Sequence, residues 1–87
     1  MTVPAFETYL LPMLKQYKSG KKIEIKDIRE RLASVMNLNE QDIVELTDGG
    51  NAYKHNDRVY WSRTYLSKAG LLVGANGIYS ITEQGQN

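Results

Sequence analysis

Asn56-Asp57-Arg58-Val59-Tyr60-Trp61-Ser62-Arg63-Thr64-Tyr65-Leu66-Ser67-Lys68-Ala69-Gly70, continuing into Leu71-Leu72-Val73 and, past Asn76-Gly77, into Ile78-Tyr79-Ser80-Ile81-Thr82, is the stretch on which the fold turns. Its first part has helical spacing and closes on a glycine suited to a C-terminal cap. Its second part is two β-type runs joined by Asn-Gly, the preferred sequence of a two-residue hairpin turn. A helix from Lys54 or Asn56 to Ala69 is therefore predicted to lead straight into a hairpin. With Val59 at zero and about 100° per residue, Leu66, Ser62, Ala69, Tyr65 and Trp61 fall on one face, which is expected in the core. Asn56, Tyr60, Arg63, Thr64 and Ser67 fall between about 40° and 140°, which is expected outside. Arg58 lies at about 260°, within the apolar sector, so an ion pair with Glu45 or Asp48 competes with any outward role.

Upstream, Phe6, Leu10, Met13, Leu14 and Tyr17 make one apolar stripe of a helix over about Ala5 to Ser19. Pro12 removes a backbone donor inside it, so a bend near Thr8 to Pro12 is predicted. Ile23 and Ile25 alternate with Glu24 as a short strand, and Ile28, Leu32, Val35 and Met36 mark a second helix, about Lys26 to Met36. Asn39 is placed to cap a short third helix, Glu40 to Leu46, and Asp48-Gly49-Gly50 sits in a loop from Thr47 to Asn51. Helix, short strand, helix, helix, long helix, hairpin is the order of a winged helix: an α+β fold with a helix-turn-helix core of three to four helices, a small antiparallel sheet and a β-hairpin wing. The expectation is a single domain over residues 1–87, ordered from 4 to 83, with a frayed tail at 84–87.

The composition restricts what such a domain can do. Eighty-seven residues bury too little surface for a deep pocket behind a large core. With no cysteine, disulfides, thiolate metal sites and cysteine nucleophiles are excluded, and a cytoplasmic setting is expected. No apolar run approaches a membrane span. The net charge of +1 conceals an uneven distribution. Lys15 to Arg31 holds seven basic residues against three acidic ones, Asn37 to Asp48 holds four acids and no base, and Asn51 to Lys68 is basic again. Mixed surface charge for solubility explains any one of these runs by itself.

Catalytic chemistry finds few candidates. His55 is the only histidine, so no histidine cluster can hold a metal, and its place at a helix start predicts a solvated ring. There is no phosphate-binding glycine loop, and Gly49-Gly50 and Gly74 to Gly77 are expected in turns. Glu24-Ile25-Lys26 has the E-x-K form of metal-dependent nucleases but lacks a preceding Asp that would complete a site. The carboxylates of Glu40 to Asp48 are expected on a solvated face. No catalytic residue, metal or cofactor is assigned. What remains is the outward face of the helix starting near Lys54. Asn56, Tyr60, Arg63, Thr64 and Ser67 are types that hydrogen-bond base edges and phosphates, with Lys54, His55, Arg58 and Lys68 around them as phosphate contacts. Trp61 and Tyr65 are expected in the core rather than as base-stacking platforms.

The wording of the chain points to a family. Met1-Thr2-Val3-Pro4 before Leu10-Leu11-Pro12-Met13-Leu14, the run from Asn56 to Leu72, and Tyr79-Ser80-Ile81-Thr82-Glu83-Gln84-Gly85 resemble the N-terminal domain of Mrr-type, modification-dependent restriction endonucleases. The resemblance implies a winged-helix module that recognises double-stranded DNA carrying modified bases and precedes a separate metal-dependent nuclease domain. It implies a restriction-system protein, with that downstream domain as a partner in any parent chain. A homodimer is a further expectation, and a membrane partner is not. Two departures stand out. The turn Gly74-Ala75-Asn76-Gly77 has no basic residue where the family's wing often does, and Asp57 adds a negative charge beside Arg58. The sequence stops just past the second wing strand, so cleavage is not expected of this chain. The rival is a protein-interaction or dimerisation winged helix that does not read DNA.

Overall fold

The computed structural model describes residues 3–86. Its elements are α1 (Phe6–Gln16), β1 (Ile23–Glu24), α2 (Ile25–Val35), α3 (Glu40–Ile43), α4 (Lys54–Lys68), β2 (Leu72–Ala75), β3 (Ile78–Ile81) and α5 (Glu83–Gln86). The three strands form one antiparallel sheet in the order β1-β3-β2. This is an α+β fold compatible with a winged helix. The Met1 and Thr2 of the family-like opening, and Asn87 of the expected tail, lie outside the described residues.

Local chemistry accounts for most boundaries. Asn39 caps α3 through a reciprocal pair: its side chain accepts from the Asp42 backbone N–H at 2.8 Å, and Asp42 Oδ2 accepts from the Asn39 N–H at 3.0 Å. Asp42, expected among solvated acids, is consequently buried. α3 ends after one turn because residues 45–54 fold into a small ribbon. Thr47 N–H bonds to the Ala52 carbonyl, Lys54 N–H bonds to the Glu45 carbonyl, and Leu46 pairs with Tyr53. α4 closes where the Leu71 N–H reaches the Leu66 carbonyl around Gly70. In the hairpin, Asn76 and Gly77 have φ of 56° and 79°, the two positive values that a tight turn matching the strand twist requires.

The core is one cluster built from every layer: Tyr9 and Met13 of α1 with Tyr17 at its C-terminal cap, Ile28 and Leu32 of α2, Val59 and Leu66 of α4, with Val3, Ile23 and Leu72. Tyr9 and Tyr17 are fully buried, whereas Phe6, Leu10 and Leu14 of the expected stripe are only partly covered. α1 runs unbroken through Pro12 and packs most extensively on α4.

Two expectations are corrected here. Residues 84–86, expected to fray, form the turn of α5. Lys18 Nζ donates to the carbonyls of Gly85 and Gln86 at 3.2 and 3.3 Å, and Gln86 Nε2 returns a bond to the Lys18 carbonyl. Gly85 is buried against the Leu71 carbonyl, with Thr82 Oγ1 accepting from its N–H. Gly74 lies within β2 opposite Tyr79 rather than in the turn.

Candidate nucleic-acid interface

α4 is fixed by two polar side chains on its buried face. Ser62 is fully buried and donates to the Phe6 carbonyl at 3.0 Å, so α1 and α4 approach closely. His55, expected in solvent, is 2% exposed. Its Nε2 lies 2.8 Å from the Arg29 carbonyl oxygen, which can only accept, so Nε2 carries the proton. Nδ1 then accepts from the Tyr9 hydroxyl at 2.9 Å. One neutral imidazole thus ties α1, α2 and the start of α4 together. Burial lowers its pKa below the usual histidine value, outweighing the hydrogen bond to Arg29 that favours charge. Burial likewise pushes the Tyr9 hydroxyl up to about 12, against the opposing pull of Arg58.

Because His55, Val59, Ser62 and Leu66 are the buried positions, the helix is rotated from the orientation its aromatic content suggests. Trp61 and Tyr65, expected in the core, are 51% and 56% exposed. The inner positions are taken by His55 and Ser62, each held by specific hydrogen-bond partners, and by Val59 and Leu66 in the core, so the two rings lie outside them. Tyr65 instead lies over the edge of Phe6, ring centroids 6.1 Å apart, and Trp61 meets Tyr60 edge-on at 5.4 Å. Tyr60, Trp61, Tyr65 and Lys68 are all exposed along α4.

Of the nine predicted contact residues, His55 is buried with both ring nitrogens committed and meets no phosphate, and the other eight separate into two groups. Lys54 pairs with Glu45 at 2.8 Å and holds that carboxyl below its ordinary range. Arg58 pairs with neither Glu45 nor Asp48; its Nε donates to the Pro4 carbonyl at 3.2 Å and its Nη1 to Asp57 at 3.0 Å. Asn56 lines a groove of about 220 Å³ with Lys26, Arg29 and Glu30 of α2. These three face the α1, α2 and ribbon flanks. Tyr60, Arg63 and Thr64 converge. The Arg63 guanidinium lies 4.8 Å from the Tyr60 ring centroid, and its Nη2 donates to Thr64 Oγ1 at 3.4 Å. Ser67, half-buried, follows one turn later on this side, and exposed Lys68 ends the helix.

Sequence reasoning missed Tyr79, whose ring lies 5.0 Å from the same guanidinium. Burial pushes the Tyr17 hydroxyl up to about 12, against the opposing pull of Arg63 and Arg31. In sequence Tyr79 belongs only to a β-type run, and it takes the folded sheet to bring its ring to Arg63 of α4. Among the described residues no group of His, Asp and Glu is placed to hold a metal ion, and no helix is long and apolar enough to cross a membrane.

No curated protein and no solved structure matches the chain. One family model does, that of the Mrr N-terminal domain, over residues 6–87. That span holds every element from α1 to α5, including the α4 and hairpin sequences that carry the resemblance, and so the chain belongs to the Mrr N-terminal domain family.

Proposed function

We propose that this domain is the target-recognition module of a restriction-system protein and that α4 enters the major groove of double-stranded DNA, without catalysing cleavage. Family membership supports the restriction context. The observation that carries the DNA reading is the convergence of Tyr60, Arg63 and Thr64 on an accessible side of the longest helix, beside the hairpin. At about 1.5 Å per residue, α4 is long enough to span a groove roughly 12 Å wide. Arginine is the residue type whose two-donor edge matches guanine O6 and N7 or a phosphate. Lys68, and in a looser role the partly committed Lys54 and Arg58, supply phosphate contacts. Recognition of a modified base and assembly as a homodimer are expectations of the same reading.

Replacing Arg63 by Ala is expected to cost about 1 to 3 kcal/mol of DNA affinity and to relax preference at one base position. Fluorescence anisotropy on duplexes with permuted sequence measures both. A loss equal for all sequences would reassign Arg63 to a phosphate. If four to six basic side chains meet phosphates, affinity should fall with a log-log salt slope on the order of −4 to −5. The rival interaction reading draws on the exposed Trp61 and Tyr65 rings. Salt-insensitive self-association with no retention on DNA would favour it.

A further inference from the structure

The hairpin, Leu72 to Ile81 around its Asn76-Gly77 turn, carries no basic side chain with which to hold a phosphate. Its link to α4 is Tyr79, the second residue of β3. That residue is fixed in the middle of the sheet, paired with Ile23 of β1 on one side and Gly74 of β2 on the other. The Arg63 guanidinium carbon lies 5.0 Å from the Tyr79 ring centroid and 4.8 Å from that of Tyr60, so one cation is held by rings from two different elements. Among the described residues the one hydrogen bond of the Arg63 side chain is the long contact from Nη2 to Thr64, so its terminal amino groups are largely uncommitted. Its Nε is buried without a partner and is not offered to solvent, so the donors available to an external acceptor are those of Nη1 and Nη2. A guanidinium whose plane is held by aromatic rings, with its hydrogen-bonding edge unspent, is arranged to take two acceptors at little ordering cost.

We propose that Tyr79 is a positioning residue through which the hairpin acts on recognition: it holds the Arg63 guanidinium so that a two-donor edge meets a pair of acceptors on DNA, guanine O6 and N7 or two phosphate oxygens. The proposal rests on α4 facing DNA. It assigns the hairpin a role that does not require wing charges. Because Tyr79 acts through its ring face, the hydroxyl is dispensable and the aromatic ring is not.

The test compares the whole chain as wild type, Tyr79→Phe, Tyr79→Leu, Arg63→Ala and the double variant Arg63→Ala/Tyr79→Leu. Two readouts are taken: anisotropy on sequence-permuted duplexes at fixed salt, and the NMR signal of the Arg63 Nε–H in the free protein. Tyr79→Leu is expected to weaken binding about five- to tenfold, from the worth of one ring–cation contact. Tyr79→Phe is expected to stay within about twofold of wild type, and the double variant to bind no more weakly than Arg63→Ala, because both changes remove one interaction. The Nε–H signal should move in Tyr79→Leu and stay in place in Tyr79→Phe. Equal losses in the Phe and Leu variants, additive losses in the double variant, or an unmoved Nε–H in Tyr79→Leu would each overturn the positioning role. A loss confined to duplexes with guanine at one position identifies the base edge as the acceptor, and a uniform loss identifies phosphate. If wild type binds no duplex, the reading of α4 fails. Duplex binding indifferent to Tyr79→Leu overturns the role of Tyr79 alone.

Discussion

Replacing His55 by Leu should lower the free energy of unfolding by about 2 to 4 kcal/mol, although leucine is apolar and the site is in the interior. The change strands the buried Tyr9 hydroxyl, which loses its acceptor, and removes a second donor from the Arg29 carbonyl, which inside α2 keeps its helical bond. The unpaired hydroxyl costs about 1 to 3 kcal/mol and the lost bond to Arg29 about 1 kcal/mol more, offset in part by the added apolar burial. Urea denaturation measures the difference, and a variant as stable as wild type would contradict the three-helix tie. The same residue gives the domain a pH dependence of definite sign. Burial lowers the folded-state pKa of His55 below its ordinary value of 6.5. Between those two values the unfolded chain binds more protons than the folded one, so stability rises with pH there. Acidification through about 6.5 and below should therefore destabilise wild type, and His55→Leu should lose that part of the slope. Glu45, held below its usual range by Lys54, contributes in the same direction but at lower pH, so the two windows are separable.

Gly74→Ala carries the second large effect. A Cβ at residue 74 would meet the Ile78 carbonyl oxygen and lie 2.8 Å from the Tyr79 Cα. Both obstacles are backbone, so no side chain can swing aside and the two hairpin strands must separate. A cost of about 2 to 3 kcal/mol follows from comparable overpacking, and at this chain length that corresponds to a fall in melting temperature of roughly 10 °C or more. A melting temperature within a few degrees of wild type would contradict the close approach of β2 and β3. Since Gly74 pairs with Tyr79, the folded fraction of this variant should also bind DNA more weakly.

The order of elements was legible because it rests on local chemistry. The Asn39 cap, the Gly70 helix end and the Asn76-Gly77 turn each act within a few residues, and each stands where the sequence predicts it. The orientation of α4 was not legible, because it rests on partners remote in sequence. His55 looks like a surface residue until Tyr9 and Arg29 are brought against it, Ser62 falls on the core face by angle but its bond to the Phe6 carbonyl needs the fold, and Trp61 and Tyr65 look like core until the inner positions are filled. The candidate site was legible to the same extent. Tyr60, Arg63 and Thr64 were recognisable as neighbours on one helix. The commitments of Arg58 to Pro4 and of Arg63 to Tyr79 span 54 and 16 residues of sequence respectively and needed the fold. The ribbon at residues 45–54, which ends α3 early, has the same origin, since its pairing of Leu46 with Tyr53 leaves both side chains exposed and without apolar periodicity.

The exposed ring of Trp61, the only tryptophan in the chain, makes α4 its own reporter. Acrylamide quenching of its fluorescence, with and without saturating duplex DNA at low salt, tests whether this helix is the surface that meets DNA. Insertion of α4 into the groove predicts that bound duplex shields the ring and sharply reduces quenching, and that raising the salt restores it as the complex dissociates. A duplex that binds while Trp61 remains as accessible as in the free protein would place DNA on another face and contradict the account.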